Sequence, residues 1–179
     1  MKIENEITVL NVDREDLIHK IISAGGVETC PEVKQIRCVY DFVPKDHNKW
    51  IRLRTNGHTT TLTIKQLNDK SKMNVKELEI EVSDFWETDR ILNELGYRYR
   101  NRQENLRQIF TLNGAEISID TWPMIPTYAE IEADNIDTIN RVIEVLGIDR
   151  NSVTDLDVVS IYNDIYGIDI MSIKDLRLK

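Results

Sequence analysis

Apolar residues recur along the chain with two different periods, and the longer period predicts helices. In four segments they recur at three- or four-residue intervals, as on the buried face of an amphipathic helix. Each segment opens at Asp or Asn and is followed by glycine, residues that are preferred at helix starts and ends. The predicted helices cover residues 13–24, 84–95, 135–146 and 155–166.

Elsewhere the period shortens to two, which predicts half-buried strands. Asn-Gly pairs at 56–57 and 113–114 mark tight hairpin turns, and such turns join antiparallel strands. The predicted strands cover residues 3–9, 34–42, 50–55, 59–66, 75–82, 96–102, 106–112, 115–121 and 127–133. A meander of this kind closes most easily into a barrel, because closure leaves no exposed edge. We therefore predict an α+β fold with a closed antiparallel β-barrel, a tunnel of about eight strands, and helices packed outside.

The chain length and charge restrict the classes of partner. With 179 residues, one domain over 1–179 is expected, with a core at 2–146 and a C-terminal segment at 147–179. The net charge of −8 argues against nucleic acid or an anionic membrane as the main partner. No apolar run is long enough to span a bilayer, and no apolar signal segment opens the chain. We expect a cytoplasmic protein in which Cys30 and Cys38 are reduced thiols.

The polar faces of the predicted strands carry an unusual density of charge. Arginine stands at several positions where lysine is the usual exposed cation, and arginine is suited to bidentate phosphate binding. Acidic residues alternate with apolar ones on other strands. The charged positions are Glu4, Glu6, Arg52, Arg54, Lys65, Glu77, Glu79, Glu81, Arg107, Glu116, Asp120, Glu130 and Glu132. Because amphipathic helices need apolar sheet surface to cover, helices outside the barrel would leave this charged face inside it.

Charges inside a barrel are costly unless they are paired or bound to a ligand. Alternating carboxylates suit a hard divalent cation such as Mg²⁺ or Mn²⁺, which prefers oxygen ligands. Arginine and lysine beside them suit phosphate oxygens. A metal ion that joins the carboxylates to a polyphosphate would satisfy both sets of charges.

At these residues the sequence resembles the CYTH superfamily, the triphosphate tunnel metalloenzymes. The resemblance runs in chain order from about residue 2 to residue 146. It is carried by Glu4-Asn5-Glu6, Ile51-Arg52-Leu53-Arg54, Leu62-Thr63-Ile64-Lys65, the acidic strand with Glu77, Glu79 and Glu81, Arg107 before Phe110, Asp120, and Glu130-Ile131-Glu132. The stretch at 103–105 and the Trp122-Pro123 region are similar to a bacterial branch described as class IV adenylyl cyclase-like.

The resemblance implies roles for these residues. Glu4, Glu6, Glu132, Asp120 and Glu130 would face the metal, with Glu79 and Glu81 as further acidic candidates in the tunnel. Arg52, Arg54, Lys65, Arg107 and Arg102 would bind phosphates. Glu4, Glu6, Lys65 and Arg107 would form the catalytic set, and the cofactor would be Mg²⁺ or Mn²⁺.

Two positions depart from the family pattern. Thr8 stands where the first strand usually carries lysine, and Asn105 stands two residues before Arg107, where another lysine is usual. Both lysines are phosphate ligands in the family. Either other arginines of this chain, such as Arg54, Arg100 or Arg102, point inward and replace them, or the protein binds a smaller anion, or it binds without catalysing.

The resemblance leaves three functions open. The first is metal-dependent hydrolysis of a triphosphate, whether inorganic tripolyphosphate, a nucleoside triphosphate or thiamine triphosphate. The second is a class IV adenylyl cyclase that makes cyclic AMP and pyrophosphate from ATP. The third is a non-catalytic nucleotide- or polyphosphate-binding protein. The segment after Gly147 would either cap one end of the barrel or form a homodimer contact.

Overall fold

The computed structural model describes residues 2–3, 5–67 and 75–179, and of residues 2, 3 and 75 it describes the backbone alone. The strands are β1 (Lys2–Ile3), β2 (Asn5–Val9), β3 (Val27–Asp41), β4 (Lys49–Thr55), β5 (Thr60–Leu67), β6 (Val75–Val82), β7 (Tyr99–Leu112), β8 (Ala115–Thr121), β9 (Tyr128–Ala133), β10 (Val153–Thr154) and β11 (Asp175–Leu176). The main helices are α1 (Arg14–Ser23), α2 (Phe85–Glu94) and α3 (Ile136–Leu146).

The first three predicted helices are confirmed, and their first turns follow from their caps. The side chains of Asp13, Asp84 and Asn135 each accept a hydrogen bond from the backbone N–H three residues later. Such a cap satisfies one of the N–H groups that the first helical turn leaves without a partner. After α3 the chain ends the helix at Gly147 with φ +60°, a left-handed conformation that glycine adopts readily.

The helix predicted at 155–166 is shorter than expected. Val153 and Thr154 pair with β2, which holds the chain extended, and Thr154 Oγ1 accepts a hydrogen bond from the Leu156 N–H. Helical structure therefore begins only after the Asp157 cap, with a short turn, Val158–Ser160, followed by a π-helical turn, Ile161–Ile165.

The predicted strands 96–102 and 106–112 are one strand, β7. Strand β3 pairs with it antiparallel from Val27 to Tyr40, with shifts of register. The polar run at 103–105 stays within the strand because its side chains find partners. Asn105 Oδ1 accepts a hydrogen bond from Arg37, and Glu104 forms an ion pair with Lys34 at 2.8 Å.

The described strands form one antiparallel sheet that is not closed by its pairings. The order is β1-β6-β5-β4-β3-β7-β8-β9-β2-β10, with β11 beside β7 and parallel to it. Residues 2–3 pair with β6 near one end of this order, whereas residues 5–9 pair with β9 near the other end. A closed barrel is therefore not confirmed, and residue 4, which would join the two segments, lies outside the described residues.

The helices cover the apolar face of the sheet, as predicted. Helices α1 and α3 pack on β2, β8 and β9 through a core that includes Ile21, Ile117 and Ile139. Helix α2 covers β3 and β4 through Phe85 and Leu92. The opposite face of these strands, called the inner face below, carries the charged alternation. Among the described residues, no helix is long and apolar enough to cross a membrane.

The C-terminal segment packs against one end of the inner face. Trp122 and Tyr128, which continue the inner alternation of β8 and β9, are buried with Tyr162 and Ile170. The Trp122 and Tyr162 rings meet edge to face at 6.3 Å, and Tyr162 Oη donates a hydrogen bond to the Pro123 carbonyl. Of the two roles left open for this segment, capping one end of the sheet agrees with these contacts.

Truncation of the core side chain Ile139 tests this packing. Ile139 on α3 is fully buried (0% exposed), so Ile139→Ala should leave a cavity and lower the free energy of unfolding by about 2–5 kcal/mol. The matched control is Val145→Ala on the same helix, where the side chain is 52% exposed, and it should cost less than about 1 kcal/mol. Urea denaturation measures both. Equal losses in the two variants would contradict the assignment of the buried face of α3.

Candidate functional site

A cavity of about 680 Å³ lies between the inner face of the sheet and the C-terminal segment. Strands β2 to β9 contribute side chains to it, and residues 155–159 and Met171 form part of the wall. The charged residues on its lining are Glu6, Arg37, Asp41, Lys45, Asp46, Lys49, Arg52, Arg54, Lys65, Glu77, Glu79, Arg100, Arg107, Glu116, Glu130, Glu132, Asp155 and Asp157.

Three of the cavity arginines come from two neighbouring strands. Arg52 and Arg54 alternate on β4 and so share a face, and Arg54 lies directly opposite Arg37 of β3 in the strand register. Burial, reinforced by Arg52 and Arg37, lowers the pKa of Arg54 to about 9. Burial, reinforced by Arg107 and Arg52, lowers the pKa of Arg37 to about 10. Both groups remain charged at pH 7, and the part of each lowering that comes from neighbouring arginines is repulsion that a bound anion would relieve.

Arg107 differs from Arg37 and Arg54 because two carboxylates, Asp120 and Glu130, neutralise its charge. Its Nε and Nη2 donate to the two oxygens of Asp120 at 3.0 and 2.7 Å, and Nη2 also donates to Glu130 at 2.5 Å. Ser118 Oγ donates to both carboxylates. Burial alone would lower the pKa of Arg107, but the two carboxylates raise it well above its usual range.

A second ion-pair network joins β4, β5 and β6. Lys65 pairs with Glu77, and Arg52 lies 3.7 Å from Glu77 and 3.3 Å from Glu79. Thr63 Oγ1 donates to Glu79 at 2.5 Å. The pKa of Lys65 is lowered by burial and by Arg52, although Glu77 and Glu6 oppose this.

Carboxylates of β2, β8 and β9 also line the cavity, and they are called the carboxylate wall below. Glu6, Glu132 and Glu116 are directly opposite one another across β2, β9 and β8, and Glu130 lies two residues along β9. Repulsion from Glu130, reinforced by partial removal from bulk water, raises the pKa of Glu6 to about 8. Within the described ranges, no three carboxylate, imidazole or thiol groups converge closely enough to hold a metal ion.

The structure brings together most of the predicted site. Eight of the predicted residues line the cavity: Glu6, Arg52, Arg54, Lys65, Glu79, Arg107, Glu130 and Glu132. Glu4 lies outside the described residues. Asp120 faces inward but is fully buried behind Arg107, whose guanidinium occupies both of its oxygens.

Two predicted residues lie away from the cavity. Glu81 is exposed at the Thr61 end of β6 and is absent from the cavity lining. Arg102 projects from the outer face of β7, opposite Cys38, which belongs to the core beneath α2. Its guanidinium carbon lies 5.7 Å from the centre of the Trp86 ring of α2, and it pairs with Glu104 at 3.3 Å. Arg102, for which the resemblance implied a phosphate contact, is therefore not part of the lining of this cavity.

Sequence reasoning missed Arg37, which is one of the most buried cations of the cavity (8% exposed). A signal for it exists in the strand alternation, because Gln35, Arg37 and Asp41 alternate with Ile36, Cys38 and Tyr40. Arg100, one of the arginines expected to replace the family lysines if it points inward, does line the cavity, where it pairs with Asp41 at 2.5 Å.

Removal of Asp120 tests whether the Arg107 network stabilises the sheet. Asp120→Ala leaves the buried Arg107 with a single carboxylate, so the free energy of unfolding should fall by about 3–5 kcal/mol. Glu144→Ala, which removes an exposed pair with Arg150, should cost less than about 1 kcal/mol and serves as the control. Chemical denaturation compares the two. A loss below about 1 kcal/mol in Asp120→Ala would contradict a structural role for this network.

The arrangement matches that of solved structures with low sequence identity. A conserved hypothetical protein from Pyrococcus furiosus superposes with a TM-score of 0.75 at 20% identity, over 87% of this chain and 97% of that one. A candidate adenylate cyclase from Vibrio parahaemolyticus gives 0.75 at 12% identity, over 93% and 98%. A candidate adenylyl cyclase from Hippeastrum, described as having a dominant triphosphatase activity, gives 0.60 at 14% identity, over 94% and 97%. At these identities the similarity establishes the fold alone.

The sequence itself carries the family assignment. No curated protein sequence matches this chain. A family model described as the CYTH domain matches residues 38–149, which span strands β4 to β9 and helices α2 and α3. The resemblance found in the order of charged strands is thereby confirmed, and the chain belongs to the CYTH domain family.

Proposed function

We propose that this protein hydrolyses a triphosphate in the cavity, with a divalent metal ion. The observation that carries the proposal is the convergence of five cations on one partly enclosed volume that the carboxylate wall also lines. They are Arg37, Arg52, Arg54, Arg107 and Lys65. Mutually repelling cations in a partly enclosed site favour a polyanion, because charge-assisted hydrogen bonds to phosphate oxygens offset the repulsion.

The cations would contact the phosphate chain in different ways, according to the partners that each already has. Arg54 makes no side-chain hydrogen bond or ion pair with the described residues, so its donors are available to a ligand. Arg52 and Lys65 are shared with Glu77 and Glu79 and can hold phosphate oxygens at the edge of the same cluster. Arg107 is already held by two carboxylates, which fixes its position for one further contact.

The carboxylates of the wall are the oxygen ligands that a hard divalent cation prefers. Glu6, Glu130 and Glu132 do not converge on one point among the described residues, so Glu4 and the phosphate oxygens of the substrate would have to complete the ligand set for Mg²⁺ or Mn²⁺. The raised pKa of Glu6 reflects repulsion between carboxylates, and a cation would relieve it. When bound, such an ion supplies positive charge to the phosphate oxygens. The proposal includes closure of the sheet into a tunnel by residues 2–9.

The reaction requires that the phosphate chain be held, that its negative charge be neutralised, and that water reach the terminal phosphorus. Water attacks the terminal phosphorus as the bridging bond to the next phosphate breaks, which releases orthophosphate and leaves a diphosphate. The transition state carries its charge on the non-bridging oxygens, so the arginines stabilise it by electrostatics rather than by covalent chemistry.

The second candidate is an adenylyl cyclase, supported by the structural neighbour from Vibrio parahaemolyticus that is described in those terms. In that reaction the 3′ hydroxyl of ATP attacks the α-phosphorus, and pyrophosphate leaves. Both reactions need the same cations, so the products must distinguish them.

A product assay tests the proposal. Tripolyphosphate, ATP and thiamine triphosphate are incubated with the protein and Mg²⁺ or Mn²⁺, and the products are resolved by phosphorus NMR. Orthophosphate that disappears in the Glu4→Gln/Glu6→Gln variant supports the triphosphatase. Pyrophosphate with cyclic AMP identifies the cyclase instead, and binding without turnover identifies a binding protein.

Replacement of Arg54 gives a second test of the binding site. A charge-assisted hydrogen bond contributes about 1.5–3 kcal/mol, so Arg54→Gln should lower kcat/KM by about 10- to 150-fold. The matched control is Arg90→Gln on the exposed surface of α2, which should leave kcat/KM unchanged. Equal rates in the two variants would contradict the role of Arg54.

Metal removal tests the cofactor. Activity should fall to the level of the buffer after treatment with EDTA and return on addition of excess Mg²⁺ or Mn²⁺, because the carboxylate wall repels an uncompensated polyanion. Undiminished orthophosphate release after complete chelation would contradict a metal-dependent reaction.

A further inference from the structure

We propose that Arg37 is an anion-binding residue that supplies, from strand β3, the inner positive charge that Asn105 of the neighbouring strand does not. The inference rests on the proposed function, because it assigns a further contact to the same polyphosphate. Arg37 lines the cavity and lies beside Arg54 in the register, so the two guanidinium groups would contact one phosphate chain from adjacent strands.

Arg37 makes no ion pair with the described residues, although Asp120 attracts it from beyond ion-pair distance and opposes the lowering of its pKa. Its Nη2 donates to two neutral groups, Asn105 Oδ1 at 2.8 Å and Gln35 Oε1 at 3.1 Å. Its Nε is buried and makes no hydrogen bond to the residues described. No carboxylate in that part of the chain lies within ion-pair distance, although Arg107 has two and Arg52 has two.

A buried guanidinium without an ion-pair partner is costly for a fold that has no ligand. The groups around Arg37 nevertheless hold it in place. The guanidinium carbon lies 4.6 Å from the centre of the Trp122 ring, a cation–π contact that leaves the edge of the group available for hydrogen bonds. A fixed, uncompensated cation on the wall of a cavity is the arrangement expected of an anion-binding group.

The contacts of Asn105 explain why the positive charge is carried by Arg37 on β3 and not by a residue at position 105 of β7. Its Nδ2 donates to Asp120 at 2.6 Å while its Oδ1 accepts from Arg37, so the amide links the two strands. A lysine at position 105 would place an ammonium between Arg37 and Asp120. Arg37 and a lysine at 105 would therefore compete for one site, and one of the two cations suffices there.

A charge exchange between the two strands tests the inference. Isothermal titration calorimetry measures the affinity for tripolyphosphate in the wild type, Arg37→Gln, Arg37→Gln/Asn105→Lys and the surface control Arg90→Gln. We expect Arg37→Gln to weaken binding by about tenfold or more, and the added lysine to recover most of this loss. The Arg90→Gln control should bind as the wild type does.

Thermal melting distinguishes a binding role of Arg37 from a purely structural one, because loss of a structural residue would lower the melting temperature. Without ligand, Arg37→Gln and Arg37→Met should melt at or above the wild-type temperature, because both remove a buried uncompensated charge. Tripolyphosphate should raise their melting temperatures less than it raises that of the wild type.

The outcomes separate this inference from the proposed function. Equal affinity in wild type and Arg37→Gln overturns the role of Arg37 alone. Weakened binding that Asn105→Lys does not restore means that Arg37 acts through its packing on Trp122, and it also overturns the inference. A wild-type protein that binds no tripolyphosphate overturns the proposed function and the inference together.

Discussion

Charged side chains that leave bulk water need an opposite charge or a ligand, and the inner face of this sheet meets that requirement unevenly. The alternation of each strand sends every second side chain to the same side. Because the helices occupy the apolar side, the charged residues have only the cavity to face. The packing of α1, α2 and α3 on the outer face thus determines where the chemistry lies.

The inner charges fall into two groups with different roles. Arg107 with Asp120 and Glu130, and Arg52 with Glu77 and Glu79, form networks in which cation and carboxylate satisfy each other. The first network joins β7, β8 and β9, the second joins β4 to β6, and both hold neighbouring parts of the inner face in place. Arg37 and Arg54 have no such partners among the described residues, and the carboxylates near Glu6 repel one another. The proposed polyanion would bind beside Arg37 and Arg54, and the proposed cation would bind beside the carboxylates near Glu6.

Strand alternation predicted most of the sheet, and most of the predicted site residues line the cavity, because the side-chain period of two is a local property. It failed where a partner strand decides the outcome. The single strand β7 depends on its pairing with β3, and the late start of the C-terminal helical turn depends on the pairing of Val153 and Thr154 with β2. Arg102 was assigned to the wrong face, since position 102 is on the outer side of β7 while Asn105 and Arg107 are inward. The burial of Asp120 behind Arg107 is likewise a contact between strands.

Asn105 illustrates why a motif compared strand by strand can mislead. Judged along β7 alone, the residue removes a cation from a polyanion site. In the sheet, the Oδ1 of Asn105 accepts a hydrogen bond from the guanidinium of Arg37, and its Nδ2 donates one to Asp120. The charge of a cavity belongs to the volume that the strands enclose, and a neighbouring strand can supply a charge that one strand lacks. Thr8 shows the limit of such exchange, because it is buried against the C-terminal segment and donates to the Leu156 carbonyl at 3.4 Å. Position 8 is therefore neutral, and the inner positive charge lies on β3, β4, β5 and β7.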